Sequence, residues 1–268
     1  MDESRWVKWF PEDSVSSDAS SDKKAYQYKK HVYSVENTMM NTVEVSISNN
    51  QTVLRGLINM ISISEDSVAF EWKCEMHESS NPIQRIRNYF KAKELQKNMG
   101  DILKNLQTFL EKKENVYGLN ISLIQVMDTM LISTKFISDS FPTTSEIYSL
   151  IDDLRKYISK EGGQETNPPM LNITNDSSTY RTMVAIPVNK ILPEKDNYVF
   201  KRIVPGKILV AEVKGGDYTA RQALEQLDLY IEDNHLSSPA IPFESLITNR
   251  SLEPDTTKWI TKIYYPIY

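Results

Sequence analysis

The sequence is poor in the residues that build disulfide-bonded or metal-held frameworks. Its 268 residues include one cysteine and three histidines. The single Cys74 excludes an internal disulfide framework and is compatible with a reducing compartment, so we expect a cytoplasmic protein. Cys74 and His77 resemble a metal-ligand pair. Side chains three positions apart on a strand point to opposite faces, however, and we predict no metal site and no cofactor.

Long apolar runs and an excess of basic residues are also missing. No apolar run reaches the ~18 residues that suggest a membrane-spanning helix, so we expect the chain as given to be soluble. The formal net charge is −5 and the pI is near 5.4. A nucleic-acid-binding domain presents a basic face, and we therefore expect no nucleic-acid partner for this chain.

Sequence motifs for catalysis are absent as well. No histidine lies near a serine or cysteine nucleophile in a known arrangement, and no glycine-rich loop resembles a phosphate-binding or dinucleotide-binding motif. Gly215 and Gly216 are more simply explained by a turn. The sequence therefore predicts a protein that is not an enzyme.

The most informative pattern present is an internal duplication. The helical pattern of residues 147–158 recurs at 220–231. The tripeptide Ile-Thr-Asn follows each copy, at 173–175 and again at 247–249. Self-similarity of this kind indicates two copies of one supersecondary unit, here of the order βαββ.

The length and this duplication predict two domains, 1–114 and 115–268, the second containing repeats at about 119–190 and 197–268. Two copies that meet across a pseudo-two-fold axis leave a groove at their seam. Small ligands tend to bind in such grooves.

Capping patterns predict the helix starts. Asn81 and Pro82 suit the N-cap and first position of a long helix that continues to about Lys113, with some drift of its apolar positions near the middle. Residues 143–146 form a capping box for a helix at 144–160. Asp217 or Thr219 is the expected cap of a helix at 219–235.

Three stretches of the second half carry a family resemblance. They are Pro-Gly-Lys-Ile-Leu-Val-Ala-Glu-Val-Lys-Gly-Gly-Asp-Tyr at 205–218, Pro-Phe-Glu-Ser-Leu at 242–246 and Trp-Ile-Thr-Lys-Ile-Tyr-Tyr-Pro-Ile at 259–267. In this order they resemble the GyrI-like effector-binding domain of bacterial AraC-type and MerR-type transcription regulators, over about 118–268. The resemblance implies an α+β fold of two βαββ units around a cleft for hydrophobic, often cationic, small molecules.

Two departures from that family alter the expected ligand. Family members carry a glutamate in the final strand, four residues before its proline, where this chain has Lys262 and, in the other repeat, Met183. The family's tyrosine after the retained Glu244 is replaced by Leu246. Because a lysine repels a cation, we expect a small apolar or anionic ligand with Lys262 as its electrostatic partner.

Strand alternation places Arg181 and Met183 on one face of their strand, and Lys262 and Tyr264 on the corresponding face of the other repeat. This more polar set is expected to line the cleft, although both charged side chains could instead be merely solvated. Trp259 is also compatible with a place in the core. The candidate ligand-binding residues are Lys262, Tyr264, Met183, Arg181, Glu244, Tyr218 and Trp259.

Two other functions remain open. Some GyrI-like relatives are hydrolases, which here would require Glu244 to act with Tyr264 or Tyr218 on a small electrophilic compound. The chain could instead be a protein-interaction module that uses an exposed sheet edge or the polar loop at 11–24.

The first half carries a weaker resemblance. Trp-Val-Lys-Trp-Phe-Pro at 6–11, Val-Ala-Phe-Glu-Trp at 68–72 and the long helix after Asn81 resemble the later part of a START-like, polyketide-cyclase-like (SRPBCC) helix-grip domain, over about 1–113. This implies an antiparallel sheet wrapped around a C-terminal helix. The family's first strand and short helices are missing, so we expect a partial domain. Relatives with this arrangement often carry an upstream membrane segment, which implies that the full-length protein is membrane-anchored.

Overall fold

The computed structural model describes residues 6, 8–11, 25–49, 52–64, 67–76, 79–127, 129–176 and 178–268. His77 and most of the loop at 11–24 lie outside these ranges. The chain divides into two compact units, Met1–Asn115 and Val116–Tyr268. Within the described residues, no helix combines the length and apolar character needed to cross a membrane.

The first unit is an antiparallel sheet with one long helix. Its five strands follow one another in chain order, so each pairs with the next. They are β1 (Ala25–Tyr28), β2 (His31–Met39), β3 (Thr42–Asn49), β4 (Thr52–Ser64) and β5 (Ser67–Cys74).

Helix α1 (Pro82–Leu110) follows this sheet, and α2 (Lys113–Tyr117) is a short helix at the boundary. The Asn81 side chain accepts hydrogen bonds from the backbone N–H groups of Ile83 and Gln84, which confirms the predicted cap. Only the second half of α1 contributes buried apolar residues to the core of this unit, and they are Leu95, Met99, Ile102 and Leu106. The apolar face of α1 therefore contacts the sheet over half of its length.

The second unit contains one eight-stranded antiparallel sheet in the order β10-β7-β9-β8-β12-β13-β11-β6. The first repeat supplies β6 (Ile121–Val126), β7 (Thr129–Ser138), α3 (Thr144–Lys160), β8 (Met170–Asp176) and β9 (Thr179–Pro187). The second supplies β10 (Val199–Ile203), β11 (Gly206–Lys214), α4 (Asp217–Asp233), β12 (Phe243–Leu246) and β13 (Ile260–Ile267). The α+β class and the two-repeat fold are confirmed.

The repeats exchange their first strands. β6 of the first repeat pairs with β11, and β10 of the second repeat pairs with β7. At the centre of the sheet the repeats meet through β8 and β12. Each repeat is thus completed by a strand of the other.

Helices α3 and α4 cover one side of this sheet, which we call the helix-facing side. The predicted capping box of Thr143 and Glu146 is present at the start of α3. The prediction that Asp217 or Thr219 caps α4 is wrong, because Gly216 holds the N-cap position without a side-chain hydrogen bond. The Asp217 carboxylate instead pairs with Arg250, 2.7 Å from Nη1.

Candidate functional site

The other side of the eight-stranded sheet carries no helix of this unit, and we call it the helix-free face. Directly opposed residues of antiparallel strands share a face, so the register identifies its members. Tyr264 is opposite Phe243, Lys262 is opposite Glu212 and Met183 is opposite Lys135. The alternate residues Thr182, Thr261 and Ile263 are buried on the helix-facing side. The register therefore places Arg181, Met183, Lys262 and Tyr264 on this common face, as strand alternation in the sequence predicts.

A large cavity lies at one end of this unit, where the ends of β6, β10, β11 and β13 come together. Its volume is about 860 Å³. Most of its lining is apolar, and the main contributors include Val126, Leu131, Ile203, Val204, Ile208, Ile241 and Phe243. Both repeats contribute to it, because the exchanged strands β6 and β10 each supply residues.

Three basic residues, Lys201, Arg202 and Lys207, are also among the residues that line this cavity. None of its described lining residues has a carboxylate side chain. The Lys201 ammonium is 2.9 Å from the sulfur of Met183. The site thus combines an apolar wall with positive charge, which suits an apolar molecule that carries a negative group.

A smaller cavity of about 100 Å³ lies beside the large one. It shares Leu131, Lys201, Ile203, Ile241 and Phe243 with the large cavity, and Met183 is part of its wall. Methionine adapts its shape to irregular ligands, so this side chain suits a wall of variable form.

Tyr264 and Phe243 form a stacked aromatic pair on the helix-free face. Their ring centroids are 5.1 Å apart and their planes differ by 7°. Phe243 lines both cavities, whereas Tyr264 contacts the cavity wall through this stacking. Tyr264 is therefore placed to hold Phe243 in position.

Lys262 lies on the helix-free face but does not line the large cavity. Its Nζ is 3.5 Å from Oε2 of Glu212 on the neighbouring strand. Because this carboxylate offsets the ammonium charge, Lys262 offers less attraction to an anion than an unpaired lysine would. Arg181 is exposed at the opposite end of β9.

Glu244, Trp259 and Tyr218 lie away from the helix-free face. Glu244 is opposite Ile263, which places both on the helix-facing side of the sheet. There Oε2 of Glu244 is 3.2 Å from Nη2 of Arg250. Burial raises the pKa of the Glu244 carboxyl, and the Arg250 guanidinium opposes that rise.

Of the two aromatic candidates Trp259 and Tyr218, the first is buried in the core and the second is exposed. Trp259 is buried, its indole N–H donates to the backbone oxygen of Glu253, and the Arg250 guanidinium packs over its ring. Tyr218 is exposed at the start of α4, where its hydroxyl accepts a hydrogen bond from Gln222. Large aromatic rings gain most from burial, which explains the place of Trp259 in the core.

Glu244 also lines a helix-side cavity of about 90 Å³, together with Asp217 and Arg221. Neither Tyr218 nor Tyr264 lines it. The acid–phenol pair required for hydrolysis is therefore not formed with Tyr264, which is on the other face of the sheet. Among the residues that the structure describes, no group of three His, Cys, Asp or Glu side chains is arranged to hold a metal ion.

Sequence reasoning missed the residues that line the large cavity. Lys201, Arg202 and Lys207 flank the Pro205–Gly206 turn, and this local concentration of positive charge was the available signal. The exchange of first strands could not be read from the pattern, since the strand signal between 121 and 138 is nearly continuous.

Comparisons with known proteins support the fold. No protein-family model matches the chain, and no curated protein sequence matches it significantly. EcmrR, in a complex with DNA, is similar at 21% identity over 70% of this chain and 72% of that one, with a TM-score of 0.50.

Two further solved structures are similar over about half of the chain. The EcmrR C-terminal domain matches at 22% identity over 56% of this chain and 98% of that one, with a TM-score of 0.49. A hydrolase from Listeria innocua matches at 10% identity over 56% and 92%, with a TM-score of 0.43. The likeness to EcmrR is a likeness of fold, consistent with the GyrI-like resemblance.

Proposed function

We propose that this protein binds a small apolar or anionic molecule without transforming it, for ligand sensing or sequestration. The observation that carries the proposal is the cavity of about 860 Å³ between the exchanged strands of the two repeats. Ligand sites in proteins have volumes of roughly 300–1,000 Å³ and walls that are mostly apolar. The size and lining of this cavity support a ligand of drug-like dimensions.

The charge of the wall supports a preference for anions. Lys201, Arg202 and Lys207 line the cavity, and its described lining lacks carboxylate side chains. An anion in a partly dehydrated cavity is attracted by these bases, while a cation of the same shape is repelled. We assign the electrostatic role to Lys201 and Lys207 in preference to Lys262, because Lys262 does not line the cavity.

We also propose that no chemical step follows binding. The separation of Glu244 from Tyr264 by the sheet supports this view, as does the ion pair between Glu244 and Arg250. The DNA in the EcmrR complex is a partner of EcmrR, a protein of similar fold. For this chain, with a net charge of −5, we propose a small-molecule partner and no nucleic-acid contact.

Two probes of the same shape and opposite charge provide the test. Tetraphenylborate is an apolar anion, and tetraphenylphosphonium is its cationic counterpart. We expect tetraphenylborate to bind at least tenfold more tightly, measured by isothermal titration calorimetry and by a rise in Tm. At 100 times its Kd, a ligand raises the free energy of unfolding by about 2.7 kcal/mol, which a thermal scan detects. Equal affinity for both probes, or tighter binding of the cation, would contradict the proposal.

A further inference from the structure

The first three turns of α1 carry an exposed apolar stripe. Ile83, Ile86, Tyr89 and Phe90 are 64%, 60%, 57% and 65% exposed. No residue between Pro82 and Glu94 is buried, in contrast to the second half of the helix. Four large apolar side chains within eight residues form a continuous surface rather than scattered exposure.

This stripe points away from the side of α1 that packs on the sheet. A helix turns by about 100° per residue, so Ile83, Ile86 and Phe90 lie on one side of it. Leu95, Met99, Ile102 and Leu106, which are buried in the core, lie roughly half a turn around the axis. The mid-helix drift of the apolar pattern is thus a change of face, and the outward stripe has no role in the packing of this sheet.

Basic residues accompany the stripe. Residues 82–93 contain Arg85, Arg87, Lys91 and Lys93 and no acidic residue. All four basic side chains are exposed. The chain as a whole has a net charge of −5, so this segment is a local concentration of positive charge in an acidic protein.

We propose that the first three turns of α1 bind the surface of an anionic lipid bilayer. Helices that lie in a membrane interface combine an apolar stripe, often with aromatic residues, and flanking Lys or Arg side chains. Arg87, Lys91 and Lys93 flank the stripe and contact the lipid phosphates. The Ile83, Ile86 and Phe90 side chains enter the acyl region. Nucleic acid would use the bases but would leave these large apolar side chains in water, so a bilayer accounts for both features.

The test uses the full chain and vesicles of defined composition. Binding is measured by co-sedimentation with vesicles of phosphatidylcholine alone and of phosphatidylcholine with 30% phosphatidylglycerol. We expect binding to the anionic vesicles that falls as salt is added, and much weaker binding to the neutral ones. The triple variant Arg87→Gln, Lys91→Gln, Lys93→Gln should bind anionic vesicles on the order of 100-fold more weakly.

The apolar part has its own pair of variants. Ile86→Ser with Phe90→Ser removes two exposed side chains from the stripe without changing the charge, and should weaken binding at least tenfold. Ile63→Ser with Val68→Ser is the matched control, because these residues are also exposed but lie in the hairpin of β4 and β5. A matched charge control changes three exposed lysines elsewhere to glutamine, namely Lys104, Lys112 and Lys160.

The outcomes separate the bilayer from other partners. Loss of vesicle binding in the stripe variants but not in the controls supports the proposal. No vesicle binding, or equal binding by all variants, overturns it. Concentration-dependent dimerisation that the Ile86→Ser, Phe90→Ser variant abolishes, measured by light scattering, would assign the stripe to a second copy of this chain and also overturn it.

Discussion

The Arg250 guanidinium forms an ion pair with the Glu244 carboxylate, with 3.2 Å between Nη2 and Oε2. Arg250 is only 5% exposed, and it also contacts the Asp217 carboxylate and the Thr261 hydroxyl. Its backbone N–H donates to the hydroxyl of Tyr148 on α3. This single residue therefore connects both helices with the final strand and joins the two repeats on the helix-facing side.

Arg250→Met should destabilise the second unit strongly. Removing one partner of a buried ion pair leaves an uncompensated charge, at a cost of about 3–5 kcal/mol. Urea unfolding followed by circular dichroism measures this change. The exposed Arg181→Met variant is the control and should alter the free energy of unfolding by less than ~0.5 kcal/mol. Similar effects of the two substitutions would show that the Arg250 contacts contribute little to stability.

Much of the fold was readable from local patterns. The duplication predicted two equivalent units because helical periodicity and strand alternation recur in the same order. The caps at Asn81 and Thr143 were predicted correctly, since each depends on residues that are neighbours in sequence. The start of α4 was predicted incorrectly. The Asp217 carboxylate pairs with Arg250, 33 positions away, instead of capping the helix.

The candidate site was predicted less completely, for the same reason. Alternation identified the face shared by Met183, Lys262 and Tyr264, which is a property of each strand alone. The pairing of Lys262 with Glu212 depends on strand register, and the cavity depends on the exchange of β6 and β10. Such long-range pairings leave no periodic signal in one sequence.

The raised pKa of the Tyr265 phenol predicts that the protein loses stability at alkaline pH. Burial raises its pKa to about 12, with a contribution from the hydrogen bond that its hydroxyl donates to Asp228. Between pH 10 and about 12 the unfolded chain releases this proton while the folded chain retains it. The free energy of unfolding should therefore fall as the pH rises through this window.

Tyr265→Phe should make that fall less steep. Phenylalanine has no proton to release, so its contribution to the pH dependence disappears. Urea unfolding at a series of pH values from 8 to 12 gives the slope for both proteins, with pH 8 as the reference at which the proton is bound in both states. Parallel curves for the two proteins would contradict the proposed coupling of Tyr265 to folding.

The two glycines in the turn before α4 provide a test of backbone strain at adjacent positions. Gly215 has a φ of 144°, and a Cβ built on it would clash with the Thr219 side chain. Gly215→Ser should therefore lower the free energy of unfolding by about 1–3 kcal/mol. Gly216→Ser is the matched control, because a Cβ there meets nothing closer than 3.5 Å and serine suits the N-cap. Equal losses in both variants would argue against backbone strain as the cause.

The basic wall of the large cavity predicts which lysines select the ligand. Lys201→Gln with Lys207→Gln removes two charges from the lining and should weaken tetraphenylborate binding about tenfold, equivalent to ~1.4 kcal/mol. Affinity for tetraphenylphosphonium should stay equal or rise, since repulsion is relieved.

Lys262→Gln is the matched control for this pair, because it removes the same type of charge from the helix-free face outside the cavity lining. Its ammonium is already offset by Glu212, so calorimetry should find less than a twofold change in tetraphenylborate affinity. A larger effect at Lys262 than at Lys201 and Lys207 would move the binding site from the cavity to the centre of the sheet, near the stacked rings of Phe243 and Tyr264. The same calorimetric titration therefore decides both which residues attract the ligand and where on the sheet it binds.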